Sequence, residues 1–152
     1  MRLTTLCYIQ RDGCYLMLHR TKKQQDENAG KWIGIGGHIE ENEAPEECIR
    51  REAMEETGLQ LLDLRLRGIL TFILPDWGNE MTFLYTASAN DASLPECPEG
   101  VLAWVPIEQV LSLPLWEGDR AFLPLLQARS SCFSMKLVYE TGGKLKETIL
   151  LD

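Results

Sequence analysis

The amino-acid sequence predicts a mixed α/β sandwich folded as a single domain over residues 1–152. Three observations carry that reading. Short runs rich in β-branched and aromatic residues recur along the chain, separated by glycine, proline, asparagine and aspartate turns. Between them stand only two segments with a good helical pattern. The length suits one hydrophobic core, and no repeat or low-complexity tract divides it.

Residues 3–10 alternate in polarity, Arg11-Asp12-Gly13 reads as a turn, and Cys14–Arg20 as the returning strand of a hairpin. Residues 21–31 are polar and predict a loop. The short apolar run 32–37 carries three glycines, so its backbone makes a close approach or an unusual turn. Residues 43–57 predict a helix, with Pro45 suited to its first turn and Gly58 to its C-terminal cap. Strands follow at 64–74 and 81–89, a proline-bearing loop at 91–100, and a short strand at 101–105. A short helix starts near Pro106. Asp119–Ala128 predicts the second good helix, with Pro124 near its start or kinking it. Runs 133–139 and 145–150 close the chain as a hairpin around Thr-Gly-Gly-Lys.

The net charge of −8, from 23 acidic against 15 basic residues, argues against a nucleic-acid polymer as partner, since such binding neutralises phosphates with Lys and Arg. It leaves room for a small phosphorylated ligand bridged by a divalent metal. No apolar run approaches a bilayer span and the N-terminus lacks a signal-peptide pattern, so the expectation is a soluble, cytoplasmic protein without a membrane partner. Five cysteines without a Cys-x-x-Cys pair argue against a disulfide framework and against a thiolate zinc site.

Residues 37–59 hold eight glutamates. Glu52, Glu55 and Glu56 stand at i, i+3 and i+4, so on a helix their carboxylates share one face, beside Cys48, Ile49 and Ala53 rather than opposite them. Like charges at these spacings are mildly destabilising, and partial burial drives carboxyls toward protonation. Arg50 and Arg51 do not suffice for three converging carboxylates. A divalent cation does, and an oxygen-only donor set selects Mg²⁺, Mn²⁺ or Ca²⁺. The alternative is a solvated helix laced with i,i+4 charge pairs. The carbonyl of Gly37, in the turn before the helix, offers a further oxygen.

The spacing is Gly37, five residues, Glu43, seven residues, Arg51-Glu52, Ala53, one residue, Glu55-Glu56, one residue, Gly58-Leu59. It resembles the Nudix box at every defined position, with Ala53 a small choice for an aliphatic slot. The resemblance implies the Nudix fold, an α/β/α sandwich with a mixed β-sheet and a loop-helix-loop. It also implies hydrolysis of a nucleoside diphosphate linked to another moiety, with Mg²⁺ as cofactor and Mn²⁺ as a substitute. Glu52, Glu55, Glu56 and the Gly37 carbonyl become metal ligands, Arg51 holds a glutamate such as Glu43, and Glu52 orients or deprotonates the attacking water. Gly30-Lys31-Trp32 and Leu115-Trp116-Glu117-Gly118-Asp119, followed by Phe122-Leu123-Pro124, are similar to MutT-like members that hydrolyse oxidised purine triphosphates such as 8-oxo-dGTP. That similarity implies that Trp116 stacks on the purine, Asp119 bonds the base edge, and Glu99 approaches the metal. In those enzymes a second aspartate and an asparagine also face the base, where this chain has Gly118 and Ile33. It therefore implies a purine read differently or less stringently.

Other roles stay open for several of these residues. Trp116 serves equally as core, Asp119 as a helix N-cap, and Glu99 as a solvated loop residue. His38, Lys23 and Lys31 are placed to meet phosphate or merely to face solvent. The competing functions are hydrolysis of ADP-ribose, a nucleotide sugar or a dinucleoside polyphosphate, and a non-catalytic nucleotide-binding Nudix module.

Overall fold

A computed structural model describes residues 1–21, 26–91 and 93–152. The elements in chain order are β1 (Arg2–Arg11), β2 (Cys14–Arg20), β3 (Trp32–Ile33), β4 (Ile35–His38), α1 (Pro45–Thr57), β5 (Leu61–Ile73) and β6 (Glu80–Ala89). They continue with β7 (Gly100–Pro106), α2 (Ile107–Val110), α3 (Asp119–Ala128), β8 (Phe133–Glu140) and β9 (Lys144–Leu150). Among the described residues the strands form one mixed sheet ordered β3-β2-β1-β6-β5-β8-β9, with β4 on β1 and β7 on β2. The β1–β6 and β5–β8 ladders are parallel and the others antiparallel.

Alternation along the central strands builds two cores, one on each face of the sheet. Cys7 and Ile9 of β1 and Leu16 and Leu18 of β2 bury against Ile49 and Ala53 of α1. Tyr8, Tyr15 and Met17, the intervening residues, bury against Phe122, Leu123 and Leu126 of α3. Each fully buried side chain of this size contributes about 1.5–3 kcal/mol. The expected α/β/α sandwich is therefore present, with one main helix on each side.

The local differences from the sequence expectations have simple causes. Helix α1 begins at Pro45 rather than 43 because Ala44 is extended (φ −78°, ψ 156°) and Glu47 accepts its N–H at 2.9 Å. Glu43 thus stands outside the helix, free to turn toward Arg51. Gly58 caps the other end at φ 72°, its N–H bonded to the Met54 carbonyl at 3.0 Å. Strand β5 starts at Leu61, three residues early, because Asp63 (φ 50°) sits in a register shift that breaks the alternation. In α3 the cap position belongs to Gly118, so Asp119 is the first helical residue and not the N-cap; Pro124 lies inside the helix. The run at 32–37 becomes β3 and β4, and β4 pairs with β1 from Thr4↔His38 to Cys7↔Ile35. That ladder carries the turn before α1 onto the centre of the sheet.

Candidate active site

A cavity of about 450 Å³ opens beside β4 and the C-terminal half of α1. Glu52, Glu56, Gly37, His38 and Glu99 line one part of it, and Trp116, Asp119, Asn28, Tyr139 and Ile33 line another.

At the carboxylate end the organiser is Arg51. Its Nε and one Nη donate to both Glu43 oxygens at 2.7 and 3.0 Å, the paired geometry that makes guanidinium–carboxylate contacts strong. The other Nη donates to Glu52 at 2.8 Å and to Glu55 at 3.3 Å, while the first also reaches the His38 carbonyl at 3.2 Å. Arg51 holds the Glu43 carboxyl at about 2, well below the ordinary range. Glu52 lies directly over Gly37: a Cβ on that glycine would stand 2.5 Å from the Glu52 carboxyl. Glu55 shares the face but is exposed and does not line the cavity.

Glu56 is buried, and its Oε2 has no hydrogen-bond partner. Burial, then the nearby Glu99 and Glu52 charges, raise its pKa strongly. Glu99 accepts from Arg20 Nη1 at 2.9 Å, and Arg20 Nε donates to Asp26 at 2.6 Å. Among the described residues no three Asp, Glu, His or Cys side chains converge tightly enough to enclose a cation, and Glu52 and Glu55 of the Glu52–Glu55–Glu56 trio are turned onto Arg51. The donor set nonetheless fits a hard divalent ion. It offers a buried carboxylate oxygen without a partner, two further carboxylates on the cavity wall, and a glycine cradle that seats Glu52 against the Gly37 backbone.

At the other end Trp116 is half-buried. Its indole N–H donates to Asn28 Oδ1 at 2.6 Å, its edge meets Tyr139 with ring centroids 5.5 Å apart, and Lys31 Nζ sits 4.5 Å above the ring. The Gly118 N–H donates to the Tyr139 hydroxyl at 2.7 Å. A Cβ at Gly118 would fall 2.6 Å from that hydroxyl and from Leu137 Cδ2, so no side chain fits there without displacing them.

Comparison with known proteins decides the family. The NUDIX domain family profile matches residues 1–126. The chain belongs to the Nudix family. It is 29% identical over 131 residues to the Nudix hydrolase YvcI of Bacillus subtilis, covering 83% of this chain and 79% of that one. Over 116 residues it is 29% identical to the oxidized purine nucleoside triphosphate hydrolase of Mus musculus, covering 75% and 74%. The crystal structure of the MutT protein from Bacillus halodurans superposes with a TM-score of 0.87 at 26% identity, covering 99% of this chain and 98% of that one. The chain is thus a MutT-like Nudix pyrophosphohydrolase, of a family that acts on small nucleotide substrates.

Within this Nudix pocket the structure brings together Glu52, Glu56, Gly37, Glu99, Ile33, Trp116 and Asp119. Arg51 and Glu43 support them from outside the cavity lining, and Glu55 is exposed and also outside it. Lys31 covers Trp116, while the His38 side chain is exposed at the cavity edge. Lys23 lies outside the described residues. Sequence reasoning did not find Arg20, Asn28 or Tyr139. The pairing of Arg20 with Gly100 across β2 and β7 sets Arg20 beside Glu99, a proximity no spacing along the chain reveals.

Burial raises the Asp119 pKa from its ordinary 3.8 to about 7, against weaker lowering by Arg120, Trp116 and Lys31. For a carboxyl raised on folding, the unfolded chain ionises first, so stability falls as pH climbs from about 4 to about 7 and is level above. At about 1.4 kcal/mol per pKa unit the loss is on the order of 4 kcal/mol. Asp119→Asn is therefore expected to gain stability relative to the native chain across that window. Melting temperatures of both proteins between pH 4 and pH 8 check this, and a difference that does not change with pH would show that Asp119 titrates normally.

Proposed function

We propose that the chain hydrolyses oxidised purine nucleoside triphosphates, such as 8-oxo-dGTP, to the monophosphate and pyrophosphate in a Mg²⁺-dependent reaction. The observation that carries this reading is the continuity of the cavity, which joins the Glu52–Glu56–Glu99 end to the Trp116–Asp119 end in one space. A nucleotide has the same two-part chemistry, an anionic phosphate chain and a flat base. The relative from Mus musculus is named for this substrate class.

Mg²⁺, held by Glu52, Glu55, Glu56, Glu99 and the Gly37 carbonyl, would neutralise phosphate oxygens and acidify water. The protein's own groups do the rest. Arg51 fixes Glu43 and Glu52 so that the cavity wall is organised before substrate arrives. Glu52 or Glu56 accepts the proton of the attacking water. Arg20, facing the cavity between Asp26 and Glu99, is the cation placed to meet a phosphate oxygen. Trp116 provides the stacking surface and Asp119 a polar contact at the base edge.

Steady-state hydrolysis of 8-oxo-dGTP, dGTP, dATP, ITP and ADP-ribose under Mg²⁺ tests the reading. The expected result is a preference for 8-oxo-dGTP with pyrophosphate as co-product. ADP-ribose turning over faster than every triphosphate would replace it with the nucleoside-diphosphate alternative.

A further inference from the structure

Resting on that reading of the cavity, two polar side chains that touch Trp116 remain without a role, Tyr139 and Asn28. Both are already half committed. The Tyr139 hydroxyl accepts the Gly118 N–H at 2.7 Å. Burial keeps the phenol protonated, its pKa well above the ordinary value. One acceptor lone pair is therefore in use while its O–H remains to donate. Asn28 is the mirror case. Its Oδ1 accepts the Trp116 indole N–H at 2.6 Å, and an indole N–H can only donate, so this contact fixes the amide orientation and leaves the NH₂ group as the free end. Tyr139 and Asn28 both line the cavity with Asp119 and Ile33. Ile33 has no polar group to offer there, and Gly118 has no room for one.

We propose that the Tyr139 hydroxyl and the Asn28 amide are the donors that read the base, selecting purines that present a carbonyl oxygen over those that present an amino group. Two donors beside one stacking surface favour a base edge rich in acceptors. An oxopurine supplies a carbonyl oxygen to such donors and a ring N–H to Asp119. An aminopurine turns its own N–H₂ toward them and leaves the buried Tyr139 donor and the half-buried Asn28 donor unpaired, the kind of mismatch by which polar sites discriminate. The fixed geometry comes from the fold. Tyr139 is 3% exposed on β8 and locked by the Gly118 contact, and Asn28 is tied at its backbone N–H to Asp26 Oδ1 at 3.1 Å.

The test compares kcat/KM for dITP and 8-oxo-dGTP with that for dATP in the native protein, Tyr139→Phe and Asn28→Ala. In parallel, the fluorescence of the native chain and variants is titrated with IMP and AMP without metal. Each variant is expected to lower the oxo-to-amino ratio about tenfold or more, in turnover and in monophosphate binding alike. Asn28→Ala changes a half-buried loop residue, so it remains informative even if loss of the Gly118 contact prevents Tyr139→Phe from folding. Equal losses on oxo and amino substrates would reduce both residues to supports for Trp116 and overturn the proposal, as would unchanged ratios. Failure of the underlying reading is separate: the native chain would then hydrolyse none of the three triphosphates.

Discussion

Replacing Glu56 with glutamine is expected to lower turnover about 10²–10³-fold, the scale of removing one essential charge contact from a preorganised site, while raising the melting temperature of the metal-free protein. The two effects have one origin. Glu56 is buried with an unpartnered oxygen beside Glu52 and Glu99, so its ionised form is costly in the fold. Its pKa is raised relative to the unfolded chain, so stability declines as pH rises from the ordinary glutamate range toward the folded value. At neutral pH the cost is the proton that Glu56 takes up on folding, and glutamine keeps the shape without that requirement, which relieves the cost. The same substitution removes a ligand from the proposed cage, so the stabilisation by Mg²⁺ expected of the native protein should be absent from the variant. Thermal melts with Mg²⁺ and with EDTA, beside steady-state rates, read both effects. Lower activity with lower stability would mean that Glu56 is a structural residue and not a strained ligand.

The adjacent glycines Gly36 and Gly37 are expected to respond to alanine in opposite ways. Neither has a left-handed φ, so the difference is steric. A Cβ at Gly36 would stand 1.9 Å from the Thr5 carbonyl oxygen, backbone against backbone, in the β1–β4 ladder that brings the turn to α1. Nothing soft can give way there, and Gly36→Ala should destabilise the fold by more than about 3 kcal/mol. The nearest atoms to a Cβ at Gly37 are the carboxyl end of the Glu52 side chain, at 2.5 Å. Gly37→Ala should therefore melt within about 3 °C of the native protein yet lose roughly 10²-fold in kcat, because Glu52 must move away from its position. Circular-dichroism melts and turnover of the two variants decide this. A folded, active Gly37→Ala would separate Glu52 from the chemistry.

What the sequence displayed and what it hid follow from locality. The Arg51 contacts to Glu43, Glu52 and Glu55 lie within one helix and its approach; spacing placed the three glutamates on one face, and the family resemblance supplied the Arg51–Glu43 pair. The glycine before the box and the cap at Gly58 are likewise local. The strands of the two cores were visible from alternation, except where the bulge at Asp63 broke the period. The base end was visible only through family resemblance at Trp116 and Asp119. Its other polar members come from distant parts of the chain: Tyr139 reaches Gly118 from β8, and Asn28, in the loop before β3, reaches Trp116 across 88 positions of chain. The empty slot at Gly118 looked like a missing contact in the sequence. In the fold it is the space that the Tyr139 hydroxyl occupies.

The most direct test of the carboxylate cage is a Mn²⁺ titration of the native protein followed by electron paramagnetic resonance, with Mg²⁺ as competitor and Glu52→Gln and Glu56→Gln alongside. The cage predicts that the free Mn²⁺ signal is lost on binding to the native protein, recovers with Mg²⁺, and is lost far less with either variant. Native protein and variants leaving the signal equally untouched, while turnover persists in EDTA, would contradict it.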